Sequence, residues 1–144
     1  WHAHEAQGFT EHRAGTYVYH DRYTVSRGAA SISDCALRVL TTVVSRPTAH
    51  RAVLDAGSKA LTSDLLGLEG YGEVVGFPDI HIARLSEEHG VVECEASLQW
   101  NVGDRLAIIP NHACVVSNLY DQVHVTRGDN WIATWKVAGR GRLQ

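Results

Sequence analysis

The sequence predicts an all-β fold, a β-barrel or sandwich-like domain with one or two short helical turns. Two observations predict it. Residues 35–45 (CALRVLTTVVS) are dense in β-branched side chains, and Leu37, Val39, Thr41 and Val43 recur at period two, the alternation that turns one face of a strand into a core. About eight such extended stretches follow one another at roughly 8- to 15-residue spacing with turn residues between them, the rhythm of barrels and sandwiches.

Taken in chain order, residues 16–19 (TYVY) read as a short β-prone run. The 35–45 strand is expected to stop at Pro47, which has no N–H for a ladder. Residues 51–55 form another short strand, ended by Ala56-Gly57-Ser58. Residues 59–72 carry turn signals and one helical turn, and 73–77 extend again before Pro78. A hairpin follows: 80–86 run out, Glu87-Glu88-His89-Gly90 turn, and 91–95 return, with Gly90 available for a positive φ. Val102-Gly103-Asp104 turn into a strand over 105–109. Residues 123–125 and 131–137 complete the set around a turn at Gly128-Asp129-Asn130.

The 144 residues suffice for one domain with a real core, and 44% hydrophobic and 20% charged residues are ordinary for a soluble globular protein. No run of eighteen apolar residues exists, so no membrane span is expected. A net charge of −3 with scattered basic residues gives no nucleic-acid footprint. The start, Trp1-His2-Ala3-His4-Glu5, is no signal peptide, and the lack of any methionine suggests a piece of something longer. Cys35, Cys94 and Cys114 are odd in number and widely spaced, which fits free thiols in a reducing cytoplasm.

The stretch 108–114 (IIPNHAC) carries the chemistry. It places an imidazole and a thiol two residues apart, directly after a strand. On extended backbone, side chains at i and i+2 share a face, so His112 and Cys114 can converge. Nitrogen and soft sulfur suit zinc better than magnesium or calcium. Two ligands are not a complete site; water, substrate or other residues must finish the coordination. Taken alone, the pair reads more simply as a small core thiol beside a surface imidazole.

Other candidates weigh towards structure. His89 is either a solvated turn residue or a residue near an active-site mouth. His81 and His124 read as strand residues rather than ligands. His2, His4, His12 and His20 are irregularly spaced and read as surface residues. Cys35 and Cys94 read as apolar filler. Trp131 and Trp135 share a strand face and are expected in the core or at a domain interface. Asp55 and Lys59 serve a local turn, and Arg13 pairs with Glu11.

Seven stretches occur in an order that resembles one family: 14–19 (AGTYVY), 44–47 (VSRP), 55–61 (DAGSKAL), 85–90 (LSEEHG), 102–105 (VGDR), 110–114 (PNHAC) and 118–121 (NLYD). From Arg13 onward the chain is similar to the C-terminal domain of the D-serine dehydratase and D-threonine aldolase group, fold-type III pyridoxal-phosphate enzymes related to alanine racemase. The resemblance implies an N-terminal barrel that holds pyridoxal phosphate on a lysine, and a C-terminal β domain that closes the active site and supplies metal ligands. Residues 1–25 would be the exit segment from that absent barrel, and 26–144 the metal-binding domain. His112 and Cys114 fall on the family's His-x-Cys pair, the form of the dehydratases with zinc. Aldolases usually show His-x-Asp there, whereas 118–121 resembles the aldolases, so both branches stay open.

The resemblance therefore implies a lyase acting on a small β-hydroxy-D-amino acid. It would be a cytoplasmic homodimer using zinc or manganese at His112 and Cys114. Pyridoxal phosphate would be held elsewhere, because neither Lys59 nor Lys136 matches the cofactor lysine. In such enzymes the metal acts on the β-hydroxyl, as leaving group in β-elimination or as proton donor in retro-aldol cleavage. This domain alone is expected to be inactive and to expose an apolar patch. The rival reading is a free-standing, non-catalytic β-barrel binding module.

Overall fold

The computed structural model describes Gly8, Thr10, Glu11 and residues 13–142. Strand β1 (Val39–Thr48) sets the pattern, with Val39, Thr41 and Val43 buried, Leu40 and Val44 exposed and Thr42 half-buried. Strands β2 (Arg51–Leu54), β3 (Gly72–Val74), β4 (Phe77–Leu85), β5 (Gly90–Glu93) and β6 (Arg105–Pro110) join it. They close into an antiparallel barrel in the order β1-β2-β5-β4-β3-β6, with β6 returning to β1. Closure leaves no free sheet edge within the barrel. Its interior is filled by Val43, Ala52, Leu54, Val74, Ile82, Val92 and Ile108, all fully buried.

Three short helices lie between or before the strands: α1 (Arg22–Ser26), α2 (Ser58–Leu61) and α3 (Ala113–Leu119). Strands β7 (Gln122–Arg127) and β8 (Asn130–Lys136) form a separate hairpin after α3. The expected all-β class therefore holds, as a barrel rather than a sandwich.

Several local expectations fail for physical reasons. Residues 16–18 form a 3-10 turn, not a strand, since Thr16 O takes the N–H groups of Tyr19 and His20. Strand β1 begins at Val39 and passes through Pro47 to Thr48. The ladder shifts register between Ser45 and Thr48, so the missing proline N–H falls where no partner needs it. Residues 73–77 are split: β3 ends at Val74 and β4 begins at Phe77. Gly90 has no positive φ; a Cβ there would stand 2.7 Å from Ala56 O, so glycine is needed for close approach. Helix α3 was not expected at all. Trp131 and Trp135 are not in the core, being 64% and 59% exposed on β8.

Candidate metal centre

Strand β6 ends at Pro110 and delivers Asn111, His112 and Cys114 to a junction of three segments. The other two are residues 16–26 and the loop 62–71 that follows α2. Asp21 ties the first of these down. It is buried and caps α1, accepting Thr24 N–H at 2.9 Å through Oδ1. Its Oδ2 accepts Ala113 N–H at 2.9 Å, so one carboxylate caps the first turns of α1 and α3.

Asn111 ties down the second segment. Its side chain is buried and fully used: Nδ2 donates to Asp64 O at 3.0 Å and to Gly70 O at 2.8 Å, while Oδ1 accepts from Arg22 Nη1 at 2.7 Å. Arg22 also donates to Glu69 O at 3.0 Å and pairs with Glu73 at 3.9 Å. Burial lowers the pKa of the Arg22 guanidinium, against the opposing pull of Glu73 and Glu69.

On this base sit the two candidate ligands. His112 is the N-cap of α3 on extended backbone (φ −136°, ψ 92°), and its Nδ1 lies 2.7 Å from Asp64 Oδ2. Cys114 is exposed in the first turn of α3, with Sγ 3.2 Å from Thr16 Oγ1. The pair therefore does not stand on one extended strand, as expected from the sequence. The chain turns helical at Ala113 because Asp21 supplies a cap there.

The non-glycine residues with positive φ among those described are His20 (50°), Thr62 (64°) and Leu66 (52°). His20 adjoins Asp21, and Thr62 and Leu66 flank Asp64. Such a φ is a genuine outlier for β-branched Thr62, and strain of this kind gathers at functional sites.

The donor chemistry fits a metal. With Asp64 Oδ2 as the acceptor of this contact, the ring proton sits on Nδ1 and Nε2 is left as an electron-pair donor. A carboxylate behind a histidine is the usual support of a metal-binding imidazole. The Thr16 hydroxyl can donate to a Cys114 thiolate. No group of three or more His, Cys, Asp or Glu among the described residues is arranged to hold an ion. Among the described residues, His112 and Cys114 are the candidate donors. The chain does not fit covalent pyridoxal phosphate: Lys59 Nζ is bound to Glu88 Oε1 at 2.5 Å on the surface, and Lys136 is exposed at the end of β8.

The remaining candidates take structural places. His89 is an exposed turn residue, His124 is exposed with Nδ1 3.1 Å from Thr134 Oγ1, and His81 is half-buried opposite Glu73. His20 is half-buried beside Asp21, whereas His2, His4 and His12 lie outside the described residues. Cys35 is 1% exposed, as filler should be, and Cys94 is half-buried. Asp55 accepts from Thr41 Oγ1 and Thr42 N, both at 2.7 Å, and Arg13 pairs with Glu11 at 2.8 Å. Two surface grooves share Glu93, Cys94 and Glu95, and neither is lined by His112 or Cys114. Sequence reading missed Asp64, Asp21 and Thr16.

Residues 36–126 match the family model described as "Putative serine dehydratase domain". The chain belongs to this family. An uncharacterized protein of Mycobacterium tuberculosis is 43% identical over 129 residues, covering 85% of this chain and 96% of the relative. D-threonine aldolase of an Arthrobacter species is 32% identical over 92% of this chain, which spans only 35% of that enzyme. Among solved structures, D-threo-3-hydroxyaspartate dehydratase from Delftia sp. HT23 is similar with a TM-score of 0.80 at 30% identity, over 90% of this chain and 39% of that one. Two variants of D-threo-3-hydroxyaspartate dehydratase are also similar, at TM-scores of 0.81 and 0.76. One replaces a histidine by alanine; the other, described as metal-free, replaces a cysteine two positions further on.

Proposed function

We propose that this chain is the metal-binding β domain of a lyase acting on β-hydroxy-D-amino acids, with His112 and Cys114 as ligands to zinc or manganese. The carrying observation is the His112–Asp64 contact at 2.7 Å, which leaves Nε2 available two residues from the exposed thiol of Cys114. Support comes from the similar dehydratase, whose altered histidine and cysteine have the same two-residue spacing. When bound, the ion supplies a Lewis acid able to polarise a β-hydroxyl. The chain's own residues do the rest of the local work. Asp21 and Asn111 fix the backbone on either side of His112. Thr16 offers its hydroxyl to the sulfur. Using only two protein donors leaves coordination positions for water and substrate.

D-serine dehydratase-like elimination and D-threonine aldolase-like retro-aldol cleavage act on the same hydroxyl, and both belong to this reading. The pyridoxal phosphate would come from an N-terminal barrel that residues 1–25 would leave, in a cytoplasmic homodimer, and this domain alone would not turn over substrate. The test is elemental analysis of the purified chain beside His112→Ala and Cys114→Ala. Zinc near one equivalent in the parent and lost from both variants is expected; equal content in all three overturns the assignment.

The mycobacterial relative, matched over 96% of its own length, favours a second reading: a free-standing β-barrel binding module. The reading frame upstream of Trp1 separates the two. About 200 or more residues of alternating strands and helices with an early lysine support the lyase; a start codon immediately upstream supports the module.

A further inference from the structure

We propose that Asp64 is the positioning residue of the centre, holding the His112 ring so that Nε2 stays unprotonated and available to a metal. The inference rests on the metal-centre reading and deepens it. It starts from an imbalance. The Asp64 and His112 side chains are 37% and 30% exposed, and a polar contact this open to water adds little stability. Yet the loop that carries Asp64 is held with care. Asn111, adjacent to His112, commits its buried amide to the carbonyls of Asp64 and Gly70. Thr62 adopts a φ of 64° on entry to the loop, and its hydroxyl accepts the Asp64 N–H at 3.3 Å. The carboxylate is thus fixed relative to the ring by a chain of bonds that begins one residue from that ring.

The chemistry follows from which nitrogen carries the proton. A free neutral imidazole exchanges between two tautomers. A carboxylate 2.7 Å from Nδ1 favours the Nδ1–H form and leaves the Nε2 lone pair for a metal. Asp64 therefore acts through His112 and need not touch the ion.

The test uses the full ¹⁵N-labelled chain, stripped of metal, at a pH of about 8 where histidine is neutral. Long-range ¹H–¹⁵N correlation reads the tautomer of each ring, and His112→Ala identifies the His112 signals. His112 should be Nδ1–H in the parent, keep that form in Asp64→Asn through the amide oxygen, and lose it in Asp64→Ala. Competition for zinc against a chromophoric chelator should show Asp64→Ala weakened about 10- to 100-fold, with Asp64→Asn in between. An Nε2–H ring in the parent overturns the proposal, as does a zinc affinity that Asp64→Ala leaves within about twofold. If the parent takes up no zinc, the centre and this role fall together. If zinc binds through His112 but ignores Asp64, the positioning role alone falls.

Discussion

Asn111 shows at the scale of one residue how the site is held. It is enclosed, and its amide answers three partners: Arg22, Asp64 and Gly70. Asn111→Leu keeps much of the volume and removes every one of those bonds. Each unanswered buried polar group costs about 1–3 kcal/mol, so a loss of about 3 kcal/mol or more is expected in urea unfolding. The cysteines differ as sharply. Burial pushes the Cys35 thiol up to about 11, with the Asp21, Asp34 and Glu73 charges adding to it. Iodoacetamide at a pH of about 8, read by peptide mapping, should label exposed Cys114 first and Cys35 last. The raised thiol also sets a pH dependence. Below the ordinary thiol range both states keep the proton; between that range and about 11 only the unfolded chain releases it, so stability should fall as pH rises through that window. His112 and Cys114 were legible in the sequence because they are neighbours. Their partners were not: Asp64, Asp21 and Thr16 make their contacts across 48, 92 and 98 positions. No local pattern encodes such distances.

Elements follow the same division. Strand β1 was readable because buried and open positions alternate along it, and the other barrel strands because turn residues separate their short extended runs. Helix α3 was not, since Val115 and Val116 argue for a strand and the cap that starts the helix comes from Asp21. Helix α2 buries Leu61 in the core and is placed against the neighbouring turn by backbone contact. Ser58 N donates to Ser86 O at 2.8 Å and Lys59 N to Glu87 O at 3.1 Å, across the turn between β4 and β5. A Cβ on Gly57 would come against the Glu87 carbonyl. The neighbour is backbone and cannot swing away. Gly57→Ala should therefore cost about 1–3 kcal/mol, seen as a lower urea midpoint with unchanged slope.

At the scale of the whole molecule the barrel and the β7–β8 hairpin differ. The barrel turns its main apolar set inward, with Leu40, Val44 and Phe77 as scattered exceptions, whereas the hairpin shows Trp131, Ile132 and Trp135 to solvent. That surface should make the chain associate as its concentration rises, and sedimentation of Trp131→Ser/Trp135→Ser should show a weaker tendency with the thermal midpoint nearly unchanged. The double role of Asp21 reaches further still. The stretch that defines the family, 36–126, holds all six barrel strands and α3, and would pass for a complete unit. A polypeptide trimmed to those limits keeps His112 and Cys114 but discards the carboxylate that answers Ala113, the arginine that answers Asn111 and the hydroxyl beside the sulfur. It should keep its sheet and lose its grip on an ion, because the anchor of the centre lies in the stretch ahead of the family match.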